Sequence, residues 1–204
     1  VDDPFENMRA PSPDLPLAQP FPFDAALKYR IWGDLTYGSL SSDGQRVFAI
    51  EDLPLDAGSA MTRQFFNFPV PKNQAGPRSY NRLAAFNVRT GKLEWHLGGA
   101  ADEFGLPQAG TFFLGPPLAL MDRLYVIGET KGEIRLLALD SKGDVEWTQQ
   151  LAVADRDILN DPVRRLSGVS PSYADGILVC PTANRSIVAL ELATRSLLWG
   201  YTYN

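Results

Sequence analysis

Three tryptophans set the constraint. Trp95, Trp147 and Trp199 stand 52 residues apart, and each closes a similar phrase: Leu83 to Trp95, Leu137 to Trp147 and Val188 to Trp199. A repeat of this length is read before any local pattern, because one repeat is one supersecondary unit stacked on its neighbours. Inside each unit, strands of four to seven residues alternate with turns rich in Gly, Asp and Asn. The second unit runs Pro117 to Leu120, Arg123 to Gly128, Glu133 to Leu139 and Asp144 to Gln149. The third runs Gly168 to Tyr173, Ile177 to Cys180, Ser186 to Leu192 and Ser196 to Tyr201. The first opens with Leu35 to Leu40, the turn Ser41-Ser42-Asp43-Gly44 and Arg46 to Ile50, then resumes at Arg82 to Asn87 and Lys92 to Leu97. Short β-branched and aromatic runs between such turns predict an all-β meander. Helical periodicity is absent outside Ile158 to Arg165.

Four strands per unit at this period predict β-propeller blades. Blades bury both faces, which explains the nearly continuous apolar runs Leu124-Tyr125-Val126-Ile127 and Ile177-Leu178-Val179-Cys180. The expected organisation is a Pro-rich extended segment over 1–34 and propeller blades over 35–204. The blades are 35–97 with an insertion at 53–81, then 114–149, then 168–203. Six prolines between residues 1 and 23 make that stretch irregular, and 24–32 adds one helical turn or a short edge strand.

The repeated residues resemble the tryptophan-docking motif A-x-D-x-x-T-G-x-x-x-W of the PQQ-like, or quinoprotein-type, β-propeller family. Ala85, Asn87, Thr90, Gly91 and Trp95 carry the first copy, with Asn87 where the motif has Asp. Ala138, Asp140, Gly143 and Trp147 carry the second, with a turn one residue shorter. Ala189, Glu191, Thr194 and Trp199 carry the third, where Arg195 replaces the Gly. The resemblance spans about residues 35–203. It implies that each Trp stacks across a blade interface, that the acidic or amide residue ties down the turn, and that Arg195 makes the third turn less standard. The family holds PQQ-dependent dehydrogenases and also non-enzymatic scaffolds such as the BamB-like branch, to which this chain is placed closer. A vicinal disulfide, found in many of the dehydrogenases, is excluded by the single Cys180.

The remaining chemistry is sparse. The net charge of −5 argues against a nucleic-acid surface, and no apolar run is long enough to span a bilayer. With His96 the sole histidine, His-rich zinc sites are excluded and a Ser-His-Asp triad is disfavoured. Asp155, Asp157 and Asp161 lack the spacing of a calcium loop and read, with Arg156, Arg164 and Arg165, as a solvated loop with local ion pairs. Cys180 reads as a buried small hydrophobe. Asn184-Arg185-Ser186 reads as a hairpin turn that also matches a glycosylation sequon. No catalytic, cofactor-binding or metal residue is expected.

The long segments 53–81, 98–113 and 150–167 all belong on one face of the propeller. Long loops on a rigid scaffold are where binding residues concentrate. Phe65, Phe66, Phe68 and Tyr80 are the interaction-face candidates; the plainer reading has them packed against their own blade. The expected role is a non-catalytic scaffold or protein-interaction module of an extracytoplasmic protein. Its expected partners are other blades of a longer chain and proteins bound at the long-loop face. Since typical rings close with about 4–8 blades, three blades alone are expected to expose a sticky face and to be poorly soluble. The alternatives are a fragment of a PQQ-dependent dehydrogenase, which would bring PQQ and calcium, and a carbohydrate- or peptide-binding surface module.

Overall fold

The computed structural model describes residues 28, 31–51, 78–101 and 105–203. The Pro-rich start, most of the 53–81 insertion with Phe65, Phe66 and Phe68, and the Asp102-Glu103 pair lie outside them. The described chain is all-β, built from three consecutive antiparallel sheets. The first contains β1 (Ser41–Ser42), β2 (Arg46–Glu51), β3 (Arg82–Asn87) and β4 (Leu93–Gly98) in sequential order. The second contains β5 (Phe112–Phe113), β6 (Leu118–Leu120), β7 (Arg123–Thr130), β8 (Glu133–Leu139) and β9 (Val145–Val153), with β5 and β6 both paired to β7. The third contains β10 (Ser172–Ala174), β11 (Ile177–Pro181), β12 (Ser186–Glu191) and β13 (Ser196–Thr202), again in sequential order.

Turn chemistry fixes the meander. Met121-Asp122, Lys131-Gly132 and Asp175-Gly176 each link two strands with both central residues at positive φ. That is the turn whose twist matches right-twisted strands in a two-residue hairpin. The turn places Lys131-Gly132 in a tight hairpin.

The sheets stack face to face. Leu124, Val126, Leu137 and Leu139 of the second sheet join Phe48, Ile50, Leu83, Ala85 and Leu97 of the first in one apolar cluster. Tyr125, Ile127, Ile134, Leu136 and Ala138 join Leu178, Cys180 and Leu190 of the third in another. Alternate residues of one strand therefore serve opposite neighbours, as side chains of a pleated strand must. This is the layout of successive blades of a partial β-propeller.

Three sequence expectations change. Leu35 to Leu40 does not form a strand. Leu35–Gly38 is a short helix, α1, capped by Asp34, whose carboxylate accepts the Tyr37 N–H at 3.0 Å, and the first strand is Ser41–Ser42. Thr36 explains the departure. Its buried hydroxyl donates to the Arg165 carbonyl at 2.8 Å and accepts the Gly168 N–H at 3.1 Å, so the segment is held by the entry to the third blade. Next, the segments 98–113 and 150–167 are partly regular. Phe112–Phe113 pairs with β7 and β9 runs on to Val153, while the helical turns Ile158–Asn160 and Pro162–Arg165 (α2) fall on the one stretch with helical periodicity. The third change concerns Gly168 to Tyr173, where only Ser172–Ala174 is strand.

Candidate functional site

The first and second blades each present a forward face, bearing the tryptophan, to the outer turn of the next blade. Trp95 pairs with Ala85 across β3 and β4, beside a bulge that lets the indole lean out of the sheet. Its Nε1–H donates to the Ser141 carbonyl at 3.2 Å, and its other edge meets Phe48 with ring centroids 5.8 Å apart. Gly143 lies under the ring. A Cβ there would stand 2.9 Å from the indole, so glycine is required by the close approach as well as by φ 89°. Trp147 pairs with Ala138, leans on Tyr125 at 6.1 Å, and receives the Arg195 guanidinium over its face at 5.1 Å. Trp199 pairs with Ala189 in the same register, but it is 49% exposed.

The motif turns are tied by their own side chains. Asn87 Oδ1 accepts the N–H groups of Arg89 and Thr90, both at 3.0 Å. Asp140 Oδ1 accepts those of Lys142 and Asp144 at 2.8 and 2.9 Å. Thr194 donates its hydroxyl to Glu191 at 2.6 Å. The Asn87 amide, and then Arg46, hold the Glu94 carboxyl below the usual carboxylate range.

Arg195 takes the glycine position of the third turn, where Glu191 accepts the Thr194 hydroxyl rather than turn N–H groups. Its φ of 61° matches the 65° of Gly91, so the third turn keeps the same left-handed conformation without glycine. A non-glycine residue there costs roughly 1–2 kcal/mol, which the cation–π contact offsets by about 0.5–2 kcal/mol. Arg195→Gly is therefore expected to change stability by less than about 1 kcal/mol, since glycine relieves strain but adds unfolded-chain entropy. Arg195→Ala keeps the strain, loses the contact and is expected to cost about 1 kcal/mol. Urea unfolding of the two variants side by side checks the order.

At the two ends of the stack, no described blade packs against the outer face. The backward face of the second blade (Leu124, Val126, Leu139 and the partly buried Val145) packs in the cluster shared with the first. Its register equivalents in the first blade are Val47, Ala49, Phe86 and Leu93; the first three are half-buried and Leu93 is 49% exposed. Gly91 has no described atom within 4 Å of where a Cβ would stand, unlike Gly143 under Trp95. At the other end Trp199 and Tyr201 (62% exposed) project from β13, whose seven residues are all exposed.

Two polar features of the fold were not read from the sequence. Arg164, fully buried, donates through Nε to Glu129 at 2.6 Å and through Nη1 to Asp161 at 2.7 Å, with Nη2 directed to the Arg156 carbonyl. Burial pushes Glu129 above the usual carboxylate range, and the Arg164 hydrogen bond opposes that shift. Asp155 and Asp157 stay exposed, as a solvated loop requires, but Arg164 is a buried clamp joining the 154–171 connection to β7, and Asp157 and Asp161 cap the two helical turns. Asn81, also buried, accepts the Phe113 N–H at 2.7 Å and donates to the Phe113 carbonyl at 2.9 Å, extending the sheet pairing between blades through a side chain. A single Glu inside an apolar strand and an Arg after two capping aspartates were the available signals for the first; nothing in the sequence marks the second.

Of the loop-face candidates, Tyr80 is half-buried, with the Arg78 guanidinium 5.6 Å from its ring centre. His96 is half-buried opposite Ala84. The Asn184 amide donates to the Val153 carbonyl at 3.0 Å. Cys180 is fully buried and its thiol is pushed up to about 12 by burial. Its reaction with a thiol reagent is expected to follow global unfolding, so labelling in rising urea should track the loss of β signal in circular dichroism. Among the described residues, no three His, Cys, Asp or Glu side chains gather as a metal-binding group would require. No described helix is long and apolar enough to cross a membrane.

No family model matches the chain, and no curated protein sequence does. Solved structures do. A europium-containing methanol dehydrogenase matches with a TM-score of 0.45 at 15% identity, over 80% of this chain and 31% of that one. The quinohemoprotein alcohol dehydrogenase from Comamonas testosteroni matches with a TM-score of 0.44 at 14% identity, over 83% of this chain and 29% of that one. BamB from Moraxella catarrhalis matches with a TM-score of 0.31 at 16% identity, over 63% of this chain and 49% of that one. The chain spans less than a third of the length of either dehydrogenase. None of these likenesses transfers an activity.

Proposed function

We propose that this chain is a non-catalytic β-propeller scaffold of an extracytoplasmic protein, and that it works by docking other protein surfaces. The observation that carries the reading is the contrast between Trp95 and Trp147, each seated on a neighbouring turn, and Trp199, presented to solvent in the same register. A large aromatic at the centre of an apolar face is the usual anchor of an interface. Blades of a longer polypeptide are one class of occupant for the end faces, and the long-loop face is a second docking region. The ionisable groups support the reading, because they are used in structure: Arg46 with Asp43 and Glu94, Arg123 with Glu146, and Arg164 with Glu129 and Asp161. The extracytoplasmic placement rests on the family resemblance.

The test is direct. The protein is titrated with PQQ and calcium, and dye reduction is followed with alcohols and sugars. The expected result is neither saturable quinone binding nor turnover. Tight binding with turnover would overturn the scaffold reading in favour of a dehydrogenase.

A further inference from the structure

Two single-turn helices meet where the chain enters its blades. α1 precedes the first blade, and α2 lies in the connection between the second and the third. Neither is stable by itself, since isolated helices shorter than about 12–15 residues are marginal in water. The carbonyls at the end of a helix also need partners from outside it. For α2 these can be followed one by one. The Arg164 carbonyl accepts the Ser167 hydroxyl at 2.8 Å. The Arg165 carbonyl accepts the Thr36 hydroxyl at 2.8 Å, and the Leu166 carbonyl accepts the Leu35 N–H at 3.2 Å. α1 is therefore the C-terminal cap of α2, supplied from another blade. The support runs both ways. Thr36 Oγ1 accepts the Gly168 N–H at 3.1 Å, and a Cβ on Gly168 would stand 2.6 Å from the Leu35 carbonyl oxygen, so the exit from α2 is the floor on which α1 rests. Thr36 is fully buried there, with the Leu114 carbonyl of the second blade 3.4 Å from its hydroxyl.

We propose that α1 and α2 are one conformational switch, ordered together or released together while the sheets stay folded. Among the described residues, the apolar clusters that join the sheets take no side chain from either helix. α2 is held to the second sheet by Arg164 on Glu129 and by the Arg165 guanidinium 6.0 Å from the Phe112 ring centre. Elements held this way open before the apolar core does. The buried ion pair does not bar release, because opening returns both ions to water and a buried pair is worth little against its own desolvation. Opening α1 strips the Arg165 and Leu166 carbonyls of their partners. Opening α2 removes the groups that Leu35 and Thr36 bond. Each event lowers the cost of the other, and such coupling is reciprocal. A partner that prefers the released form of the connection therefore also releases the start of the first blade.

Amide hydrogen exchange of the 204-residue chain tests this, with the amides of β7 and β8 measuring global opening. The readouts are Gly38 and Ser39 for α1, whose N–H groups donate to the Asp34 and Leu35 carbonyls, and Arg165 and Leu166 for α2, whose N–H groups donate to the Asp161 and Pro162 carbonyls. All four are expected to exchange faster than the strand amides and with a common protection. Thr36→Val keeps the shape and loses the hydroxyl. It is expected to speed exchange in both helices, about five- to a hundred-fold relative to the strands, the range for buried groups left unpaired. Thr36→Ser keeps the hydroxyl and is expected to stay close to wild type. Asp161→Ala removes the carboxylate that caps α2 at the Arg164 N–H, 3.0 Å away. It is expected to speed Gly38 and Ser39 as much as Arg165 and Leu166, about fivefold or more. Asp161→Ala that speeds α2 alone overturns the proposal, as does Thr36→Val that speeds α1 alone or neither helix. Equal exchange in the serine and valine variants overturns the cap. Strand amides that accelerate as much as the four readouts also overturn it, because the pair then opens only with the whole fold.

Discussion

Arg164→Met is expected to destabilise the fold by about 3–5 kcal/mol, the cost of stranding a buried charge. Arg164 and Glu129 are 0% and 3% exposed at their side chains, so solvent does not replace the lost guanidinium. Asp161, 22% exposed, recovers water more readily and still caps α2. The pH dependence follows from Glu129. Burial raises its folded-state pKa above the ordinary 4.5, so the folded form binds a proton more readily than the unfolded chain. Stability from this group is then present at low pH and declines as pH rises through the folded pKa. Removing Arg164 removes the hydrogen bond that opposed the shift. The deficit of Arg164→Met should therefore be largest near neutrality and shrink below 4.5, where Glu129 is neutral in both states. Adding Glu129→Leu should restore much of the loss, because apolar replacement of a buried pair is often neutral or favourable. Urea unfolding at pH 7 and pH 4 of the single and double variants measures this. A single variant as stable as wild type at pH 7 would contradict the clamp.

Gly168→Ala is expected to cost about 2–4 kcal/mol, from left-handed strain together with overpacking. Gly168 has φ 58°, and a Cβ would stand 2.6 Å from the Leu35 carbonyl oxygen and 2.7 Å from its carbon. Those are backbone atoms of α1, which Thr36 fastens to Arg165 and Gly168, so they cannot move aside without breaking that fastening. Gly176→Ala is the control. Its φ is 84°, but nothing stands within 4 Å of the new Cβ. It should lose only the strain, about 1 kcal/mol. Equal losses in the two variants would show that backbone conformation alone governs Gly168 and that the close approach is not limiting.

These positions separate what was legible from what was not. The all-β meander, its blades and its turns could be read because they rest on near-neighbour rules. Asp175-Gly176 and Lys131-Gly132 favour left-handed turns, and the flanking runs favour strands. The bulged Trp register repeats because the same short phrase is written three times. Arg195 is legible only in part. Its backbone cost is local and visible, while the indole of Trp147 that offsets it belongs to another blade.

The candidate site divides in the same way. That Trp95, Trp147 and Trp199 are equivalent is a property of the sequence alone. That two are seated while the third is 49% exposed depends on which blade stands next to which. Leu35 to Leu40 shows the same limit, since its composition suits a strand and yet a hydroxyl held by residues more than a hundred positions away makes it helical. The sequence by itself determined the repeat, the strand order within each unit and the turns, because those energies are spent between neighbours in the chain. Only the tertiary structure decided the buried Glu129–Arg164–Asp161 clamp, the fastening at Thr36 and the seating of Trp95 and Trp147 on the turns of the next blade. Each of these depends on desolvation and close approach between residues that the chain brings together only when the blades stack.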